Sequence, residues 1–475
     1  MSSKLRKERK GTYMSSEKHN GSFRKVIGLF GGISLVAGMT IGSGVYYLGS
    51  YVMERVEFHM GFAILCWIIG GIVSMLGGLC FAELGASRPV AGGMTTYLSE
   101  AYGPAFGFIN GFSGFILTAS GSIAALALAA ITAFKGTLDL SDVSLKVIAI
   151  LIIVFFTAIN LAGAKFGVIF QNISMVLRVI PLILVIFLGI FFGTESPDLS
   201  IHFSETSAAG GGITGAISFI GFATFASLWA YEGWTNLNTV AEEMKNPRRD
   251  LPLSIIISIG FITLIYTLFQ LAIYRVIPAD EILAYIGNGD IYLGQEVAQR
   301  VMGKAGYWIV LAGMTVGVLG TTNGDVLVFP RTYYAMAREG YFPKCFTNIS
   351  EKTGVPVEAT IASSVVAIIL VIFNSLQSLT DLLIFLSAAL NCLCIAAVLV
   401  YRKKFPGLER PYKVWGGKVT VIITLILFGI LLVNEFISNP KSAITGLLIP
   451  IAGLIVYAYF RKKNGGTEYK GEGIE

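Results

Sequence analysis

The sequence predicts an all-α polytopic membrane protein with twelve transmembrane helices, and three observations carry that prediction. Apolar residues make up 54% of the 475-residue chain and charged residues only 13%, against a charged share of about 25% in soluble domains. Uncharged runs recur along its whole length, most of them long enough for the ~20 helical residues that cross about 30 Å of hydrocarbon. Lysine and arginine fall between those runs with a strong bias to one side.

Marking each run by its flanking charges places the spans near 26–53, 60–82, 101–134, 147–164, 166–194, 206–231, 251–274, 305–330, 359–374, 380–401, 419–437 and 442–460. The third and eighth exceed what a bilayer needs and are expected to tilt or project beyond it. With the N-terminus inside, 26 Lys or Arg fall on the cytoplasmic side and 7 outside, leaving out Arg178 and Arg331 within or at the end of spans. Both termini are therefore expected in the cytoplasm.

The net charge of +6 is scattered over inner loops and tails, so it reads as a topology signal and no nucleic-acid partner is expected. The tail from Lys4 to Lys25 has the charge of a signal n-region, but the span after it is too long for a cleaved signal peptide. It reads as a solvated tail touching anionic lipid. None of the five cysteines, Cys66, Cys80, Cys345, Cys392 and Cys394, lies in a predicted outer loop, which leaves no extracellular disulfide. Cys392-x-Cys394 sits in an apolar helix without partnering histidines and reads as packing, so no metal or cofactor is expected.

The first span carries Met39-Thr40-Ile41-Gly42-Ser43-Gly44-Val45-Tyr46 at its midpoint. Glycine weakens a helix and uncovers its backbone, and lipid cannot satisfy exposed peptide groups, so a break at this depth must line an enclosed or watery site. A packing notch for a neighbouring helix is the other reading. The second span ends at Glu83, read as a solvated helix-end carboxylate, with pairing to a basic loop residue as the alternative. Span five holds Arg178, the one charge set deep within a span; its cost of at least ~3 kcal/mol at a bilayer centre requires it to face the bundle interior.

Span six carries the second irregularity, Ser227-Leu228-Trp229-Ala230-Tyr231-Glu232-Gly233-Trp234, followed by the polar Thr235-Asn236-Leu237-Asn238. Aromatic core packing explains the tryptophans but not Glu232 beside a glycine. Spans one and six are five apart, so they correspond if spans 1–5 and 6–10 are two repeats, and matched interruptions are the best sequence pointer to a transporter's central site. The stretch Ala241 to Pro252 reads as a solvated connector. Span eight holds Asn323 and Asp325, the latter a candidate counter-ion for Arg178 or Arg331 or else a vestibule carboxylate.

Three stretches together resemble the amino acid/polyamine/organocation superfamily, and within it the L-type amino acid transporters. They are Ile41-Gly42-Ser43-Gly44-Val45; Leu228 to Trp234 with Glu242 to Pro252; and Asn323-Gly324 with Phe329-Pro330-Arg331 and Ala335 to Gly340. The resemblance, which extends from Lys25 to about Tyr459, implies a LeuT-like fold of five plus five inverted-repeat helices and two more, performing sodium-independent exchange of small neutral L-amino acids. It implies that the Gly42, Ser43 and Gly44 amides receive the substrate carboxylate, and that carbonyls of Thr40, Ile41, Trp229, Ala230 and Glu232 hold its ammonium. Trp229 would close over the substrate, and Arg178 and Asn323 would serve coupling. Relatives of this type usually carry lysine where this chain has Arg178; an arginine would replace a bound sodium while keeping its proton. Glu232 stands where many relatives have glycine, aspartate or asparagine.

The expected organisation is a basic tail at 1–25, a five-helix repeat at 26–194, a second at 206–401, the loop and last two helices at 402–460, and a tail at 461–475. The expected location is the cell membrane. Animal relatives attach a heavy subunit through a cysteine in the loop after span three; Lys135 to Asp142 has none, so no disulfide-linked heavy subunit is expected. The alternatives are a proton-coupled importer, a cationic amino acid or polyamine exchanger, and a membrane nutrient sensor. An enzyme is not expected, because the three histidines, His19, His59 and His202, lie in tails or outer loops.

Overall fold

Proline and glycine, more than charge, decide where the helices of this chain stop. The computed structural model describes residues 27–466 except 43, 90–92, 163, 351–352 and 354, and the side chains of 136–137, 164–176, 178, 205, 208–209, 239–240 and 242–243 also lie outside the described part. The first span divides into α1 (Leu29–Thr40) and α2 (Gly44–Arg55). Helix α3 (Met60–Ser87) follows, then α4 (Met94–Tyr102) and α5 (Pro104–Ser113), which a π-turn at Gly114–Thr118 joins to α6 (Ala119–Thr132). The third uncharged run is long because Pro104–Thr132 forms one continuous span of 29 residues. Gly103, at φ +106°, ends α4, and Pro104 opens α5 with a position that needs no N–H.

Helices α7 (Asp142–Ala162) and α8 (Ala164–Phe192) come next, then α9 (Gly212–Tyr231), a 3-10 segment (Trp234–Glu243) and α10 (Pro247–Tyr274). Two short helices, α11 (Ala279–Gly287) and α12 (Leu293–Met302), lead into α13 (Lys304–Val328). Pro330 then starts α14 (Pro330–Arg338), so the eighth run also ends at a change of element. The chain finishes with α15 (Val357–Phe373), α16 (Leu376–Lys404), α17 (Lys418–Ser438) and α18 (Pro440–Lys463). Reciprocal bonds between Ser375 and Ser378 form a capping box that starts α16 five residues before Asp381.

Among the described residues, nine helices are long and apolar enough to cross a membrane, or ten if α1 and α2 count as one broken span. Helices α8 and α15 occupy the remaining expected spans, and α15 is 17 residues long. Exposed apolar residues line one face of α7 (Val147, Leu151, Val154) and of α17 (Val419, Ile422, Ile426). Such stripes require a hydrocarbon surround, so the chain is a multi-pass membrane protein. Inside, helices approach closely where one supplies glycine: a Cβ at Gly71 would lie 2.2 Å from Thr263 Oγ1, and one at Gly78 would lie 2.7 Å from Ile255. These contacts seat α3 on α10.

Glu83, expected to be solvated, is buried instead. Its carboxylate takes two bonds from the Arg402 guanidinium, at 2.8 and 2.6 Å, and one from the Val414 N–H at 2.8 Å. Arg410 lies 4.0 Å away and also donates to the carbonyls of Tyr401 and Phe405, which cap the end of α16. Arg402 is thus a fixed partner, and a bidentate charged pair is what makes burial of the acid tolerable. Glu83→Gln is expected to lower thermal stability in detergent by about 2–3 kcal/mol, since it weakens a charge-assisted pair. An unchanged unfolding temperature would show the pair to be dispensable.

Candidate functional site

Two interrupted helices meet at the centre of the site. Helix α1 ends at Thr40; Ile41 takes φ −74° and ψ 85°, and the Gly42 N–H donates to the Thr40 carbonyl at 2.8 Å. That is an inverse γ-turn, one of the tightest reversals available to a chain leaving a helix. Ser43 lies outside the described residues, and α2 begins at Gly44, so its first N–H groups have no carbonyl partner within the helix. In the second interruption the Glu232 N–H closes α9 on the Trp229 carbonyl at 3.2 Å, and Glu232 itself is extended. Gly233 follows at φ +130°, a conformation that only glycine adopts without strain, and the chain continues in 3-10 form.

The two interruptions are in direct contact. A Cβ added at Gly44 would lie 2.8 Å from the Ala230 Cα, and one at Gly233 would lie 2.9 Å from the Met39 carbonyl and from Thr40 Oγ1. Glycine at both positions therefore serves close approach as well as backbone freedom. Tyr266 of α10 joins them: its hydroxyl stands 3.0 Å from the Thr40 carbonyl and 3.0 Å from the Ala230 carbonyl. One O–H has one proton, so it is shared between two broken helices. Tyr266 is fully buried, held by edge contacts with Trp67 at 5.7 Å and by Tyr231 at 5.3 Å.

The electrostatics follow from the helix ends. The N-terminus of α2 presents N–H groups and a positive dipole end, while the C-termini of α1 and α9 present carbonyls and negative ends. A molecule carrying an anion and a cation a few ångströms apart matches that arrangement. The Thr40 carbonyl already meets two donors, from Gly42 and Tyr266. Thr40 Oγ1 is buried without a hydrogen-bond partner among the described residues. Trp229 is half-buried and packs between the two main core clusters, and Glu232 is half-buried at the end of α9 with the Asn391 side chain of α16 beside it.

Of the residues singled out in the sequence, Thr40, Ile41, Gly42, Gly44, Trp229, Ala230 and Glu232 belong to these two interruptions. Asn323 is buried on α13 and accepts from Asn160 Nδ2 of α7 at 2.9 Å. Arg178 belongs to α8, which packs along α13, but its side chain is outside the described part. Asp325 accepts from Ser122 Oγ at 2.6 Å, and the Arg331 guanidinium donates to the Leu327 carbonyl. Tyr266 was missed in the sequence, where it is one aromatic in an uncharged span; its visible signal was a hydroxyl on a helix face shared with Ser258 and Gln270. Asn160 and Ser122 were missed for the same reason.

A family model described as amino acid permease matches residues 27–460. Mouse b(0,+)-type amino acid transporter 1 is 31% identical over 468 residues, which is 96% of this chain and 91% of that protein. The serine/threonine exchanger SteT of Bacillus subtilis (strain 168) is 28% identical over 446 residues, 94% of this chain and 98% of the exchanger. Mouse large neutral amino acids transporter small subunit 2 is 26% identical over 447 residues, 92% of this chain and 81% of its own. Facing helix breaks with opposite dipole ends are the site such proteins would need, and this multi-pass chain belongs to the amino acid permease family.

Proposed function

We propose that this protein exchanges small neutral L-amino acids across the cell membrane by alternating access, with no requirement for sodium. The observation that carries the reading is the contact of Gly44 with Ala230 and of Gly233 with Met39 and Thr40, which turns opposite helix ends toward one small volume. In this reading the amides of Gly42, Ser43 and Gly44 take the carboxylate. Binding would exchange the γ-turn bond of Gly42 for a charge-assisted one, which is stronger. Carbonyls of Thr40, Ile41, Trp229, Ala230 and Glu232 take the ammonium, and the Trp229 ring closes the site. Arg178 supplies from α8 the fixed positive charge that sodium provides elsewhere, and Asn323 on α13 answers it. The two interruptions lie in corresponding spans of a twelve-helix, five-plus-five repeat of the LeuT-like kind, with repeats at 26–194 and 206–401, helices α17 and α18 added, and both termini in the cytoplasm.

The outer loop from Lys135 to Asp142 contains no cysteine, which supports action without a disulfide-linked heavy subunit. A second reading, exchange of cationic amino acids, rests on the half-buried Glu232 carboxylate at the interruption itself.

Purified protein in liposomes is expected to take up labelled serine only when amino acid is present inside, equally with and without sodium. Uptake into empty vesicles driven by a proton gradient would identify an importer instead. Arg178→Ala is expected to cripple exchange and Arg178→Lys to retain part of it; full activity of the alanine variant would remove the tethering role. Gly44→Val forces side-chain atoms into the Ala230 backbone, so binding of every substrate should fall together, and a mere shift in preference would disprove the carboxylate assignment. Competition by lysine or ornithine as strong as that by alanine or serine would select the cationic reading.

A further inference from the structure

A group of charges unrelated to the two interruptions is buried where α2 and α17 end and α16 begins, at the end of the bundle opposite the start of α1. Arg55, the last residue of α2, donates to Asp381 at 2.9 Å and to the Phe222 carbonyl at 2.9 Å, and its guanidinium lies 4.1 Å above the Phe222 ring. Glu435 of α17 is 4.0 Å from the same guanidinium. The side chains of Arg55, Asp381 and Glu435 are 5%, 9% and 0% exposed, so none of the three is solvated. Asn439 donates to the second Asp381 oxygen at 3.3 Å. Neither oxygen of Glu435 has a hydrogen-bond partner among the described residues.

The charges do not balance: two carboxylates share one guanidinium. An ionised carboxylate buried without a donor costs several kcal/mol, and the ordinary remedy is a bound proton. Among the described neighbours of Glu435, the one other donor within reach is the neutral amide of Asn439, which is already bonded to Asp381. Helix α16 brings Asp381, a like charge, and α2 brings Arg55, already engaged by Asp381, with Glu54 exposed beside it. From α9 come the Phe222 carbonyl and ring and Ser218, the last bonded to Asn434, and none of these carries a charge. Helix α3 meets α17 lower down, at Gly77 beside Phe428, and on α18 Lys441 is exposed.

We propose that the Arg55–Asp381–Glu435 cluster is a proton-binding site, with Glu435 carrying the proton while Arg55 is engaged by Asp381, and that this proton pins the outer half of the broken first span. The link to transport is mechanical. Helix α2 begins at Gly44 against Ala230 and is tied to α16 twice, by the Tyr47 hydroxyl at 3.1 Å from Thr380 Oγ1 and by Arg55 on the adjacent Asp381. Release of the proton leaves two anions competing for Arg55 and weakens its hold on Asp381. Acid therefore favours the arrangement described, and exchange, which must leave it, slows as pH falls. The inference rests on the transport reading above only for its kinetic arm.

Serine exchange in liposomes held at equal internal and external pH should rise between about pH 5 and 8, by no more than about tenfold per unit for a single proton. Glu435→Gln should exchange at the slow acidic rate throughout, and Asp381→Asn, which restores one carboxylate to one guanidinium, should also flatten the profile. A wild-type profile kept in either folded variant, or a flat wild-type profile with robust exchange, overturns the proposal. Infrared spectra of the wild-type protein provide a reading that needs no variant and no transport. They should show a buried protonated-carboxyl band at acidic pH that is lost on alkalinisation; its absence at every pH, as a bound sodium ion in place of the proton would cause, also overturns the proposal. Absence of exchange with the band present would refute the transport reading alone.

Discussion

The contact between two broken helices is the constraint to which the rest of the molecule is fitted. Each break strips peptide groups of their helical partners at a depth where lipid offers none, so each has to find them within the protein. The Thr40 and Ala230 carbonyls do so on one hydroxyl, that of Tyr266, which holds α1 and α9 to α10 at a single point. The first N–H groups of α2 are the positive end of a helix dipole, and in the proposed reading they face the carboxylate of a zwitterion. Two glycines make this possible by letting backbone meet backbone, Gly44 at Ala230 and Gly233 at Met39. Stability and binding are therefore drawn from the same few atoms.

Helix α16 plays the complementary part by tying moving and static elements at both of its ends. At one end Asp381 and Thr380 hold α2; at the other Arg402 holds Glu83 of α3, while Arg410 closes the helix terminus. The two ties differ in charge balance. Around Glu83 there are two arginines and a backbone N–H for one acid, whereas around Arg55 there are two acids for one arginine. A site with surplus donors is a lock, and one with surplus acid is responsive to protons.

The architecture was largely legible because its signals are local. Hydrophobic runs and Lys/Arg asymmetry locate helices without knowledge of their neighbours, and the breaks at Gly42 to Gly44 and at Glu232-Gly233 announce themselves through glycine and misplaced polarity. Span ends were less legible: charges mark solvent only if they are solvated, and Glu83, Arg402 and Arg55 are not. Tyr266 was invisible for a different reason, since an aromatic in an apolar helix looks the same whether its hydroxyl bonds two broken helices or none.

The sequence by itself determined the all-α membrane class and pointed to the two interrupted spans, because composition, periodicity and glycine placement act on each segment alone; its motifs carried the resemblance to the family. Only the tertiary structure decided that the two interruptions touch, that one tyrosine bridges them, and that charges separated by more than three hundred residues are buried as partners, Arg55 with Asp381 and Glu83 with Arg402. The physical reason is that pairing is a property of distance after folding. A carboxylate's cost is set by its nearest donor, and no spacing along the chain states which donor that will be.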